Sequence, residues 1–241
     1  MPNDLPISFI EAILSGISVF FLLTFFRSIY DSFINRKPVR YFWDECLRSP
    51  VSIVVPAYSD DKSLHTNRMV SLASTKIESL LRSFHRKPDE IKTFEAIDLE
   101  DMGENVVLIG GPTSNEITRK VMDLFEIPFC FEDHVLNCRN EKYEPRLDEN
   151  GEIADDYAFI FRTRNPYDKR KILLIIAGCH VYGCFSGAIA VTDSEILKVL
   201  YKEARKKSMG VIIRAHVIHE TAQRPFLLEV FGTEDEINIK A

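Results

Sequence analysis

The sequence has no disulfide framework, no internal repeat and no basic surplus. Its five cysteines, Cys46, Cys130, Cys138, Cys179 and Cys184, are odd in number and follow no framework spacing. They are expected as free thiols of a reducing compartment. Low-complexity tracts are missing too, which excludes a solenoid or a disordered linker protein. Lys and Arg total 30 against 36 Asp and Glu. Residues 1–40 hold four basic and three acidic residues, so the remainder carries 26 against 33, a net charge of −7. An acidic body lacks the positive face that sequence-independent nucleic-acid binding needs, and no nucleic-acid partner is expected.

Apolar patterning is what the chain does have. Ile7–Phe26 reads ISFIEAILSGISVFFLLTFF, with Glu11 as its one ionisable residue. Twenty helical residues rise about 30 Å, the thickness of a bilayer's hydrocarbon core. Arg27, Arg36, Lys37 and Arg40 follow, whereas only Asp4 precedes. This asymmetry predicts one transmembrane helix with the N-terminus outside and the C-terminal side cytosolic, in the cytoplasmic (inner) membrane, with the lipid bilayer as a partner; a helix lying on the membrane surface and a helix of a soluble core are the alternatives. A thin polar stripe of Ser8, Glu11, Ser15 and Ser18 suggests packing of such helices in a homo-oligomer. The organisation expected is a membrane helix with its juxtamembrane extension over 1–38, a linker over 39–50 anchored by Tyr41, Phe42 and Trp43, and one cytosolic domain over 51–235.

Within that domain, 51–57 (VSIVVPA), 105–110 (NVVLIG) and 171–177 (KILLIIA) are continuous apolar runs bounded by breakers, the pattern of strands covered on both faces. Met69, Ala73, Ile77, Leu80, Leu81 and Phe84 recur at helical spacing. Residues 185–191 and the segment from Asp193 or Ser194 onward predict two further helices. Residues 128–132, 142–147 and 157–163 predict short strands around the Asn150-Gly151 turn signal, and 211–218 and 226–231 close the domain as strands. Strands alternating with helices predict an α/β fold: a Rossmann-like three-layer mixed sheet with a β-rich insertion.

Two strand-to-helix junctions are the candidate ligand loops. The first is Gly110-Gly111-Pro112-Thr113-Ser114-Asn115, followed by Glu116 in a Thr113-x-x-Glu116 capping-box pattern. The second is Gly178-Cys179-His180-Val181-Tyr182-Gly183. Glycines let backbone N–H groups approach a ligand, and a helix N-terminus adds partial positive charge, so each junction is a potential anion site at the carboxyl end of a strand. Bare steric relief in a βα turn is the competing explanation. Gly178 and Gly183 have P-loop spacing, but Cys184 stands where the lysine belongs and Phe185 where the hydroxyl belongs, so nucleotide hydrolysis of that kind is unsupported. Neither loop carries the G-x-G-x-x-G fingerprint. Arg162 and Arg164, at the end of a predicted strand, are candidate phosphate clamps, against the alternative of solvent-facing residues on an edge strand. Asp155 and Asp156 read as an exposed turn. Cys179 or Cys184 beside His180 raises a thiol nucleophile. Cys130, His134 and Cys138 raise zinc, but their segment reads as strand, and neither a metal nor a cofactor is assigned.

The segments VVLIGGPTSNEITRKV, DYAFIFRTRNP and KILLIIAGCHVYGCFSGAIAV, over roughly residues 50–231, resemble Rossmann-like ligand-sensing domains of prokaryotic conflict and signalling systems, including membrane effectors of cyclic-nucleotide-triggered antiphage defence. The resemblance implies a nucleotide-like signal bound near Gly110, Gly111, Pro112, Asn115, Gly178 and Gly183. It implies a membrane helix that oligomerises or perturbs the bilayer. Cys184-Phe185-Ser186 departs from the smaller residues usual there. The functional expectation is therefore a membrane-anchored sensor or effector of a small anionic ligand. A membrane-tethered enzyme acting on a nucleotide or nucleoside, and a non-catalytic adaptor, are the alternatives. With no acid–base pair at usable spacing, no catalytic residue is assigned.

Overall fold

A computed structural model of the chain describes residues 7–57, 64–85, 87–96, 102–126, 129–203, 208–232 and 238–239. In chain order the elements are α1 (Ile7–Trp43), β1 (Val51–Val55), α2 (Leu64–Phe84), β2 (Ile91–Glu95), β3 (Asn105–Ile109), α3 (Glu116–Met122), β4 (Phe125–Glu126), β5 (Phe129–Glu132), β6 (Val135–Cys138), β7 (Glu141–Tyr143), β8 (Arg146–Leu147), β9 (Ile153–Arg164), β10 (Ile172–Gly178), α4 (Val181–Thr192), α5 (Ser194–Glu203), β11 (Met209–Ile218), β12 (Thr221–Ala222), β13 (Phe226–Phe231) and β14 (Asn238–Ile239).

The main sheet is mixed and runs β12-β11-β9-β10-β3-β1-β2, with β13 paired to β11 and β8 to β9. β2, β1, β3 and β10 are mutually parallel, whereas β9 lies antiparallel to β10 and β11 antiparallel to β9. Side chains alternate between the two faces, and both faces are covered, which is why these strands read as unbroken apolar runs. Ile53, Val107, Ile109, Ile160, Leu174 and Ile176 enter one core with Ala73, Ile77 and Leu81 of α2, Ala188 of α4 and Leu197 of α5. Val54, Val106, Leu108, Phe159, Phe161, Leu173 and Ile175 enter the other. That second core is closed by Val121 of α3 and by the β5-β6-β7 meander through Phe129, Leu136 and Tyr143. The fold is thus α/β with a mixed sheet, and its second covering layer is part helix and part antiparallel ribbon.

The expected membrane helix is overturned. Among the described residues no helix is long and apolar enough to cross a membrane. Where the side chains of α1 are described before the folded body, over residues 15–26, they are exposed. Beyond them the helix passes Lys37 and Arg40 and enters the folded body. The single-pass inner-membrane location is corrected with it. The Glu11 side chain lies outside the described residues.

The expected linker over 39–50 is also corrected. Val39, Phe42, Trp43, Cys46 and Leu47 are buried in the first core, and Trp43 Nε1 donates to Val191 O at 2.9 Å. The aromatics read as interfacial anchors instead lock the end of α1 onto α4 and α5.

Buried Asn105 joins three strand starts. Its Nδ2 donates to Pro50 O at 2.9 Å and Ser49 Oγ at 2.9 Å, and its Oδ1 accepts from Ile172 N at 2.9 Å. Asn105→Ala strands the Ile172 N–H away from water. We expect a loss of about 2 kcal/mol, read as a lower urea midpoint at unchanged slope.

Candidate functional site

The parallel strands set the site. The chain leaves β1 for β2 on one side and returns to β3 on the other, so the direction of winding reverses between β1 and β3. A crevice opens at the carboxyl ends of strands at such a reversal. A cavity of about 360 Å³ lies there, lined at the strand ends by Pro56 and Ala57 after β1, Gly110 and Gly111 after β3, and Gly178 and Cys179 after β10.

The first turn is built for close approach. Gly110 has φ +104°, a conformation that favours glycine, and a Cβ there would lie 2.8 Å from Pro56 Cγ. Gly111 O accepts from Ser114 N at 3.0 Å and Asn115 N at 2.9 Å. Thr113 and Ser114 face the cavity and are exposed. Pro112 shapes the turn without lining the cavity. Asn115 is fully buried and structural. Its Nδ2 donates to Ile109 O at 3.0 Å, and its Oδ1 accepts from Thr118 N at 3.1 Å. Asn115 is therefore the N-cap of α3, in place of the Thr113 capping box expected from sequence.

The second turn is already occupied by a carboxylate. Asp156, on β9, accepts from Gly183 N at 2.5 Å, His180 N at 3.2 Å and Tyr157 N at 2.8 Å. Its carboxyl is fully buried. Burial raises its pKa to about 6 against the opposing pull of those N–H groups. The positive end of α4 thus holds an internal anion. Gly183 sits behind this contact and does not line the cavity. Asp156 was expected in an exposed turn; a polar pair beside Asn150-Gly151 gives no sign that β9 begins at Ile153 and turns Asp156 inward.

Two imidazoles form one wall. His134, at the tip of the β5–β6 hairpin, stacks on His180 with ring centroids 4.6 Å apart and planes 10° from parallel. Its Nδ1 lies 2.9 Å from Cys179 O. Asp133 and His134 both adopt positive φ, 45° and 67°, to make this tight turn. Burial and then the charge of His134 push the His180 pKa down, favouring its neutral ring. Val70, Ile153 and Val181 complete an otherwise largely apolar lining.

The thiols here are inert. Burial pushes Cys184 up to about 12 and pushes Cys179 up as well, with Asp156 adding to both. Cys184 Sγ accepts from Gly178 N at 3.2 Å. A thiolate nucleophile with His180 as base is therefore not supported near neutral pH. No group of three or more His, Cys, Asp or Glu able to hold a metal occurs among the described residues.

The structure does not bring Arg162 and Arg164 to this cavity. Ala158 of β9 pairs with Gly178, but Arg162 pairs with Leu174 and Arg164 with Ile172. Four residues of strand place Arg162 about 13 Å toward the opposite end of the sheet. There Arg162 is buried, and its Nε donates to Phe42 O at 2.6 Å. Arg164 pairs with Asp44 at 3.6 Å. Both hold the end of α1 rather than a phosphate.

Sequence reasoning brought Gly110, Gly111, Thr113, Ser114, Gly178, Cys179 and His180 to the site and missed Pro56, Ala57, Val70, His134 and Ile153. The end of β1 was findable, since a third strand end always flanks a winding reversal. His134 was not, because its hairpin lacks a turn dipeptide. No protein-family model, curated protein or solved structure matches the chain.

Proposed function

We propose that this domain is a binding module for a small nucleotide-like ligand, a nucleoside or a nucleotide carrying a single phosphate, and that it senses this ligand rather than transforming it. The observation carrying the reading is the convergence of three strand ends, two of them glycine turns, on one cavity at the winding reversal. About 360 Å³ lies within the 300–1,000 Å³ range of small-molecule sites, toward its small end. The stacked imidazoles and apolar walls suit a flat ring. The Gly111–Ser114 turn, with its hydroxyls, suits one polar or singly charged group.

Charge narrows the ligand class. No lysine or arginine lines the cavity among the described residues, and Asp156 already occupies the start of α4. A polyphosphate would meet one internal carboxylate and no fixed cation there. The inert thiols, and the lack of a nucleophile–base hydrogen bond at the cavity among the described residues, weigh against turnover. A sensor also requires a ligand that favours one state of the protein over another.

Calorimetry of the full chain against nucleosides, linear and cyclic mononucleotides and triphosphates tests the reading. Heat without product supports it, and silence across the panel overturns it. The matching variant is Gly111→Leu. A Cβ at Gly111 meets only Gly178 O, at an ordinary 3.6 Å, so the added side chain fills the cavity without breaking the turn. Binding should fall at least tenfold while thermal stability stays near that of the parent. Unchanged affinity would remove this turn from the site.

A further inference from the structure

The first helix carries an apolar belt that the domain does not cover. Ile17, Val19, Phe20, Phe21, Leu22, Leu23, Phe25 and Phe26 are between 47 and 68 % exposed. At 100° per residue these positions fall on every side of the helix. Thr24 within the belt donates its hydroxyl to Phe20 O at 2.8 Å, so it adds little polarity. A helix that is apolar all round needs a cover on every side, and the domain supplies none for this belt.

We infer that α1 is a self-association helix, and that three or more copies of this chain bundle in parallel through residues 15–26. The area fits a specific contact. With about 200 Å² per phenylalanine, the four rings expose on the order of 500 Å². Adding the aliphatic residues brings the belt to roughly 850 Å², near the 800 Å² or so per partner of a standard interface. A pair of helices covers one stripe on each and leaves the other side in water, so two copies are too few. Identical helices match the belt in length and pattern. The far end of α1 is fixed to the body by Trp43 on Val191, by Tyr41 packed edge-on against Tyr201 with centroids 4.8 Å apart, and by Arg162 on Phe42. Every copy therefore presents its belt in the same pose, the condition for a closed symmetric assembly.

Sedimentation and light scattering on the full chain test this. One chain weighs 27.7 kDa; a discrete species of at least three chain masses is expected at micromolar concentration. Replacing Phe20, Phe21, Phe25 and Phe26 together by serine should yield a monomer. These rings contribute nothing to either core, so the domain's thermal unfolding should not move. In a Cys130→Ser background, which removes an exposed thiol, cysteines placed singly at Ser15, Gly16, Ile17 and Ser18 should give oxidative same-site cross-links for at least one position. A wild-type monomer or dimer, open-ended aggregates, a serine variant that stays assembled, or no cross-link at any of the four positions overturns the inference. These readouts do not involve the cavity, so their failure leaves the ligand reading standing, and the converse holds.

Discussion

Asp156→Ala should destabilise the protein by about 3 kcal/mol at pH 7, from the backbone donors it strands at the start of α4 and the helix-end charge it removes. Asp156 accepts from His180 N and Gly183 N in the first turn of α4 and from Tyr157 N on its own strand. Alanine leaves the two α4 donors facing a void instead of a carboxylate. Because Gly178, Cys179 and His180 line the cavity, ligand binding should be lost together with stability. Urea unfolding of parent and variant measures the first, and calorimetry the second. A variant as stable as the parent would show that water replaces the carboxylate at no cost.

The pH profile of this difference has a definite sign. Burial raises the Asp156 carboxyl from 3.8 to about 6 in the folded state. Between these values the folded protein binds more protons than the unfolded chain, so stability falls as pH rises. The extra stability that comes with this raised pKa, over and above the hydrogen bonds kept at pH 7, is complete below about pH 4 and is lost as pH passes through 6. The stability gap between parent and Asp156→Ala should therefore be widest near pH 4 and narrow toward pH 7. A gap that widens with pH would mean that the N–H donors outweigh burial and hold the carboxyl below its ordinary value.

The sheet was legible in the sequence because burial on both faces leaves a plain mark. Val51–Val55, Asn105–Ile109 and Ile172–Gly178 are strands where continuous apolar runs stood, and breakers placed their ends at the cavity. The α2 stripe was legible for the same reason: Ala73, Ile77 and Leu81 are fully buried. What misled was chemistry shared by different environments. Phe42 and Trp43 suit a lipid interface and a protein core equally, and only tertiary contact decides between them. Arg162 looked like a phosphate clamp, yet its length lets it cross from β9 to a backbone carbonyl of α1. Asp156 was illegible because its partners are backbone N–H groups 24 and 27 residues away, and backbone donors leave no trace in side-chain identity.

Gly178→Ala should be at least as damaging as the loss of Asp156, and it separates the two glycine turns. A Cβ at Gly178 would overlap His180 O and would lie 2.5 Å from Cys184 N and 2.8 Å from Gly183 C. All three are backbone atoms of the turn and of the start of α4, so no side chain can swing aside. Either β10 and α4 separate, which pulls His180 N and Gly183 N off Asp156, or the strand end shifts and breaks the Gly178 N to Cys184 Sγ contact. Both routes cost on the order of 3 kcal/mol or more. Gly111→Ala across the same cavity is the control, since its Cβ meets one carbonyl at ordinary distance and should change stability by under about 1 kcal/mol. Parallel urea titrations of the two variants decide it. Equal midpoints would mean that the second turn has slack that its close backbone packing does not suggest. In that case a Gly178 side chain, like one at Gly111, would act on the ligand alone.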